Sequence, residues 1–223
     1  RKNAVTFHCP DGYPLHGHLW ESDSSSNETT DGVLVVIAGA TGIKATYYHR
    51  YAAFLTGHGF TVLTFDYRGI GQSRESTLKK LQANWYDWAL KDLDTVLEWA
   101  AVHHKENELT AVGHSFGGFS IGLTPNGRHV TRLLTVGAQH AYWRDYHPKQ
   151  RLTLWWRWHA VMPAVTLRHG YFPGKSMGWL EDLPRGVALD WARSPKDFSK
   201  GGTGQHQKSI QANLASFTAP TLA

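Results

Sequence analysis

The stretch that decides the fold is Leu109-Thr110-Ala111-Val112-Gly113-His114-Ser115-Phe116-Gly117-Gly118. It begins with a mostly apolar run of strand length, and residues compatible with a helix follow the serine. Such a run is typical of a parallel strand that is buried on both faces. The pattern G-x-S-x-G directly after it predicts a sharp turn from strand to helix, which raises the Ser115 hydroxyl above the end of the sheet.

The two glycines that flank the serine have a steric reason. On so sharp a turn the serine takes a strained backbone conformation, and side chains two residues to either side would clash, so Gly113 and Gly117 are required. His114 is next to the serine in sequence, but its side chain points elsewhere on such a turn, and we interpret it as a structural neighbour. The motif predicts Ser115 as a nucleophile, against the alternative of a glycine-rich turn without a chemical role.

Backbone amides near Ser115 complete the predicted site. The amide of Phe116 lies at the N-terminus of the following helix and would point at an oxyanion that develops on a substrate carbonyl. A second amide is expected from the loop after residues 33–37, and we assign it to Ala40 or Thr41. Phe116 and one of these two residues form the predicted oxyanion hole.

Apolar runs and helical patterns alternate on both sides of the motif. Residues 33–37 and 60–65 precede it, and residues 133–136 follow it, each as a run of strand length. Between these runs apolar residues recur at helical spacing, most clearly over residues 85–100. Strands that alternate with helices predict an α/β fold with a mostly parallel sheet.

Local signals fix two further features of this fold. Residues 5–9 and 15–20 alternate between apolar and polar side chains around Asp11-Gly12, which predicts an antiparallel hairpin at one edge of the sheet. Asn84 is the expected N-cap of the long helix, with Asp87 in its first turn.

The alternation breaks near residue 140 and divides the chain into three parts. We predict an α/β core over residues 1–139, an inserted and mainly helical cap over 140–207, and a return to the core over 208–223 that stops at the start of a strand. The cap is rich in tryptophan, with Trp143, Trp155, Trp156, Trp158, Trp179 and Trp191. These rings either wall an apolar pocket over Ser115 or form the cap's own small core, and we favour the second for most of them.

The composition narrows the class of protein. The chain has 223 residues, of which 41% are hydrophobic and 18% charged, and this suits one folded core. The formal net charge is +5, but no block of five basic residues occurs, which argues against a nucleic-acid partner. No run approaches the roughly 18 apolar residues of a membrane span. The single cysteine, Cys9, excludes an internal disulfide and favours a cytoplasmic location.

Neither a cofactor nor a metal is predicted. The 14 histidines form no metal-binding framework such as H-E-x-x-H. Residues 170–176 have one residue too few between their glycines for a phosphate loop. Residues 69–74 have an arginine where a dinucleotide fingerprint needs its third glycine.

Three stretches, residues 33–42, 59–73 and 113–118, resemble the α/β-hydrolase superfamily in its bacterial branch of serine hydrolases and serine aminopeptidase-like proteins. The resemblance implies a cofactor-free hydrolase of small carboxylic esters or amides, with an acyl-enzyme on Ser115, and structural roles for Asp66 and Arg68. Two alternatives fit the same motif: an acyltransferase, in which an alcohol or thiol replaces water, and a non-catalytic ligand-binding protein.

The resemblance also implies partners that Ser115 needs. In this superfamily an acid follows the strand after the cap, and a histidine follows the last strand. Residues 219–222 look like the opening of the acid-bearing strand, so we expect the acid and the histidine beyond Ala223, in a longer protein of which this chain is a fragment with little turnover alone. The available substitutes are interpreted as polar cap residues: Asp145, His140, His147, His159, His169 and His206.

Overall fold

The computed structural model of the chain describes residues 1–22, 32–138, 141–194, 196 and 205–223, without the side chains of 205 and 206. The strands of this part of the chain are β1 (Lys2–His8), β2 (Pro14–Trp20), β3 (Val33–Ala38), β4 (Thr61–Phe65), β5 (Glu108–His114), β6 (Arg132–Val136), β7 (Tyr171–Phe172), β8 (Leu183–Pro184) and β9 (Thr221–Leu222). One sheet has the order β1-β2-β4-β3-β5-β6-β9, and β7 pairs with β8.

The sheet is mostly parallel, with an antiparallel hairpin at one edge. β1 pairs antiparallel with β2, and β2 pairs antiparallel with β4. The other neighbours, from β4 through β3, β5 and β6 to β9, are all parallel. The predicted α/β fold with its N-terminal hairpin is therefore confirmed. The predicted start of a strand near the last residues is also confirmed, because Leu134 pairs with Leu222.

The helices of the described residues are α1 (His49–Gly57), α2 (Trp85–Asp87), α3 (Asp94–His103), α4 (Phe116–Ser120), α5 (Pro148–Trp156), α6 (Met162–His169), α7 (Arg185–Ala192) and α8 (Gln205–Ser216). Two π-helical segments, Trp88–Leu93 and Arg157–Val161, join α2 to α3 and α5 to α6. Residues 85–103 and 148–169 are therefore two continuous helices. Among all these described helices, none has the length and apolarity that a membrane span requires.

The long helix over residues 85–103 begins where the sequence predicts. The Asn84 side chain accepts a hydrogen bond from the Asp87 N–H at 2.8 Å, and the Asp87 carboxylate accepts one from the Asn84 N–H at 3.0 Å. This reciprocal capping box satisfies amides that would otherwise lack an acceptor at the helix start. The predicted N-cap is confirmed.

Both faces of the central sheet are buried, because successive side chains of a strand point to opposite sides. On one face Val36 and Ala111 join the main core cluster, together with apolar side chains of α2 and α3. On the other face Ile37 and Val112 pack with Ala52 of α1 in a smaller cluster. The central strands are therefore apolar runs without the alternation seen in the hairpin.

The turn after β4 holds charged side chains that serve the fold. The Asp66 carboxylate accepts the N–H of Ala45 at 2.7 Å. The buried Arg68 guanidinium donates through Nε to Asp92 at 2.6 Å and through a terminal nitrogen to Asp11 at 2.7 Å. Its hydrogen bond to Asp11 is the largest cause that lowers the pKa of that carboxyl to about 2. These contacts support the structural roles that the resemblance implied for Asp66 and Arg68.

Residues 141–194, here named the cap segment, lie between β6 and α8 and include α5, α6, α7 and the β7–β8 pair. The predicted boundary at 139 and 140 lies outside the described residues. Four of the predicted cap tryptophans pack against the main core cluster: Trp143, Trp158, Trp179 and Trp191. Trp155 and Trp156 are exposed. Trp158 is a buried member of this cluster, and the other three are partly buried against it. The expectation of a separate cap core was therefore wrong, because these rings extend the main core.

Candidate functional site

Ser115 occupies a one-residue turn between β5 and α4. Its backbone has φ 51° and ψ −116°, and Ser115 and Ala141 are the non-glycine residues with positive φ among those described. A positive φ costs a residue with a side chain about 1–3 kcal/mol, so the surrounding structure must hold it. The backbone does so here: the Ser115 N–H donates to the Val136 carbonyl at 3.0 Å, and the Ser115 carbonyl accepts the Gly118 N–H at 2.9 Å.

The flanking glycines leave no room for a side chain. A Cβ on Gly113 would overlap the Cα of Gly118, and a Cβ on Gly117 would overlap the carbonyl oxygen of Ala38. These overlaps are with backbone atoms, which cannot rotate away. The steric need for glycine at both positions therefore follows from how closely α4 lies against β3 and β5.

The Ser115 hydroxyl is half-buried and makes no hydrogen bond to another residue that the structure describes. Next to it, α4 begins at Phe116, whose N–H has no acceptor within the helix because helix N-termini leave their first amides unpaired. The predicted nucleophile and the first predicted oxyanion amide are therefore adjacent at one turn.

The two candidates for the second amide differ. The Ala40 N–H donates to the Tyr48 hydroxyl at 2.9 Å. The Thr41 N–H donates to no described residue, although Thr41 is buried. Because an amide that already has an acceptor is a poorer donor to an oxyanion, this geometry favours Thr41 over Ala40.

Tyr48, which the sequence did not single out, connects the loop of Ala40 and Thr41 to the strand-to-helix turn at Ser115. We name this turn the elbow, and the two hydrogen bonds of the Tyr48 hydroxyl the Tyr48 bridge. The Tyr48 hydroxyl accepts from Ala40 and is hydrogen-bonded to Nδ1 of His114 at 2.9 Å, in a direction that the imidazole tautomer sets. Burial raises the pKa of Tyr48 to about 12, so the hydroxyl keeps its proton. Burial also lowers the pKa of His114, which favours the neutral ring. His114 therefore has a partner of its own, as the interpretation of it as a structural neighbour requires.

An apolar cavity of about 400 Å³ adjoins this bridge on the α1 side of the sheet. Its lining includes Tyr48, His114 and Val136, and Val136 is 52% exposed. Solvent therefore reaches the ring of His114, whereas the Ala40 amide lies in a buried loop.

The histidines considered as substitutes for a base have other contacts. The His147 ring accepts the Lys149 N–H at the start of α5, and Nδ1 of His159 lies 2.5 Å from the Ala192 carbonyl. His169 packs its ring against Tyr171.

The remaining substitutes add no partner for the serine. Asp145 is exposed, while His140 and the His206 side chain lie outside the described residues. Within the described part of the chain, no histidine and no carboxylate is hydrogen-bonded to Ser115. The same residues contain no group of three potential ligands that could hold a metal ion.

Aromatic rings connect α4, which follows Ser115, to the cap segment. Phe116 stacks on Trp85 with ring centroids 5.6 Å apart, and Trp85 contacts Trp191 at 6.3 Å. Trp191 in turn contacts Trp158 at 5.8 Å. We name these four rings the aromatic column. Through it, two cap tryptophans are connected to the residue that follows Ser115, Trp191 across one intervening ring and Trp158 across two.

Comparison with known families identifies the protein family to which the chain belongs. Residues 28–186 match the family described as "Serine aminopeptidase, S33". The match covers most of the chain, and the chain belongs to this family of α/β serine hydrolases. The resemblance inferred from the three sequence stretches is confirmed at this level. No curated protein matches the chain.

Solved structures with the same fold share little sequence with it. An α/β serine hydrolase without a lid from Xanthomonas campestris is 20% identical with a TM-score of 0.52, over 64% of this chain and 64% of that one. A soluble variant of monoglyceride lipase from Saccharomyces cerevisiae is 19% identical with a TM-score of 0.56, over 73% and 51%. A hypothetical protein from Pseudomonas aeruginosa is 14% identical with a TM-score of 0.57, over 99% and 84%. The chain thus spans about two thirds or less of the first two proteins, and these likenesses show the fold alone.

Proposed function

We propose that this protein hydrolyses small carboxylic esters or amides through an acyl-enzyme on Ser115. The observation that carries the proposal is the backbone of Ser115, held at φ 51° between a strand and a helix with its hydroxyl unpaired among the described residues. A strained backbone conformation of this kind is typical of a turn that must present a functional side chain. Membership of a serine hydrolase family supports the same role.

The proposed reaction has two steps. The Ser115 oxygen attacks the substrate carbonyl carbon while its proton passes to a base, and the alcohol or amine leaves with a proton returned by that base. Water then attacks the acyl-enzyme and releases the carboxylic acid. The amides of Phe116 and Thr41 would stabilise the oxyanion of each tetrahedral intermediate.

The base and its orienting acid are proposed to lie outside the described residues. No described histidine or carboxylate is hydrogen-bonded to Ser115, so the activating pair must come from elsewhere if the serine is to react. Consistent with this, we propose little turnover for the 223-residue chain alone. The unpaired, buried Cys9 supports a cytoplasmic location, which also stays a proposal.

Two other functions use the same turn. An acyltransferase would pass the acyl group to an alcohol or thiol. A non-catalytic ligand-binding protein is favoured by one observation, the lack of a base hydrogen-bonded to Ser115 among the described residues.

The test is hydrolysis of 4-nitrophenyl esters of increasing acyl length by the full-length gene product. The variant Ser115→Ala is expected to lose activity, while Ser216→Ala, at an exposed serine of α8, keeps it. Equal activity of the Ser115→Ala variant would contradict the proposal. Faster release of 4-nitrophenol with added alcohol, together with a new ester product, would identify an acyltransferase.

A further inference from the structure

The continuous helix over residues 148–169 exposes four large apolar side chains. Leu152 is 77% exposed, Trp155 40%, Trp156 58% and Leu167 58%. Leu152, Trp155 and Trp156 are spaced i, i+3 and i+4, so they share one helix face. We name these three residues the cap face. Large apolar side chains grouped in this way mark surfaces that are covered by a partner.

The same helix is basic and has no acidic residue. Lys149, Arg151, Arg157 and Arg168 lie within residues 148–169, which include neither aspartate nor glutamate. Across the whole chain, by contrast, 23 basic residues are offset by 18 acidic ones. In the part of the chain that the structure describes, none of these four side chains forms an ion pair with a carboxylate.

Two of these basic residues are fixed by neighbours that leave their charge uncompensated. Arg157 lies over the ring of Trp179, 5.3 Å from its centroid, and Arg151 donates through Nε to the Tyr146 carbonyl at 3.0 Å. Lys149 and Arg168 are exposed. The helix therefore presents tryptophan and leucine together with a net positive charge.

We propose that the cap face binds the surface of an anionic lipid bilayer. A helix with tryptophan and leucine on one side and lysine and arginine beside them lies in the interfacial plane, where its rings enter the boundary between headgroups and acyl chains. Tryptophan favours this boundary because its ring is apolar and its N–H is polar. The uncompensated basic residues select anionic headgroups over zwitterionic ones.

This attachment is peripheral and independent of the chemistry at Ser115. On the inward side of the same helix, Trp158 is 7% exposed and belongs to the aromatic column that reaches Phe116. A bilayer held by the cap face would therefore contact the cap segment without disturbing the packing that positions the elbow.

The test is flotation of the full-length gene product with vesicles of phosphatidylcholine, with and without phosphatidylglycerol. We expect binding to the anionic vesicles, a blue shift of tryptophan emission, and weaker binding at high salt. The double variant Trp155→Ser/Trp156→Ser is expected to bind at least about tenfold more weakly. Lys149→Gln and Arg168→Gln should each weaken binding about fivefold.

The matched control is Tyr47→Ser/Phe54→Ser, which removes two exposed aromatic rings near α1, 70% and 58% exposed, and should bind like the unaltered chain. Thermal melts establish that each variant folds. Unchanged binding by the tryptophan variant, or equal binding to both kinds of vesicle, would overturn the proposal. So would capture of an acidic protein through the cap face without any binding to vesicles.

Discussion

Replacing Tyr48 by phenylalanine removes the two hydrogen bonds that connect the loop of Ala40 and Thr41 to the elbow. The substitution keeps the ring, which packs edge-on against His114 with centroids 6.0 Å apart, and removes the hydroxyl alone. The Ala40 N–H then loses its acceptor in a loop where Ala40 is 7% exposed, which costs about 1–3 kcal/mol. His114 also loses its partner, and water that enters the adjoining cavity would replace it, at a cost of about 0.5 kcal/mol.

The expected loss of unfolding free energy is therefore about 1.5–3.5 kcal/mol, measured by urea denaturation at neutral pH. For a chain of this size it corresponds to a fall of about 3–14 °C in melting temperature. Tyr47→Phe is the control, because Tyr47 is the adjacent tyrosine and is 70% exposed, and it should change stability by less than about 0.5 kcal/mol.

The burial of the Tyr48 hydroxyl predicts a pH dependence of a definite sign. The folded protein raises the pKa of Tyr48 from the ordinary value of 10.0 to about 12. Folding thus favours the protonated phenol, and this contribution is complete below pH 10 and is lost as pH rises toward 12. The stability gap between the unaltered chain and Tyr48→Phe should shrink over that range. A gap below about 0.5 kcal/mol at neutral pH would refute the bridge.

Three further substitutions test separate parts of the structure by denaturant unfolding. Gly117→Ala forces a methyl group against the Ala38 carbonyl, so it should destabilise the fold by several kcal/mol or prevent folding. A change in unfolding free energy of less than about 1 kcal/mol would contradict the described packing. Asn84→Ala removes the capping box and should cost about 1 kcal/mol, so no loss would argue against the cap. Asp11→Asn should cost less than about 1 kcal/mol at neutral pH, because Asp11 is partly exposed. Since Arg68 lowers the folded pKa to about 2, that difference should begin to fall near pH 3.8 and vanish as pH falls through about 2. A difference that persists well below the folded pKa would contradict this origin.

The fold could be predicted because its signals are local. A buried parallel strand is an apolar run, and a capped helix places Asn84 and Asp87 three residues apart, so a short window contains the whole signal. The signal for the elbow is also local, because the G-x-S-x-G pattern contains both glycines that the turn requires. The two π-helical segments have no comparable sequence pattern. The long helix over residues 85–100 was therefore predicted without its π-helical segment.

The features that the sequence missed depend on contacts between distant residues. Tyr48 bonds to Ala40 eight residues away and to His114 66 residues away, and no spacing rule connects them. The cap tryptophans likewise belong to the main core because Trp158 reaches Trp191, which reaches Trp85 of α2. A tryptophan-rich segment indicates that rings will be buried, but the surface against which they pack is set by the tertiary fold.

The central claim is that Ser115 is a nucleophile, and mapping a covalent adduct tests it most directly. The full-length gene product is treated with a fluorophosphonate, digested, and analysed by peptide mass spectrometry. We predict a single phosphonylated site at Ser115 and no adduct in the Ser115→Ala variant. An adduct on another serine, or none on a folded gene product, would contradict the claim, and the absence of any adduct would favour the ligand-binding alternative.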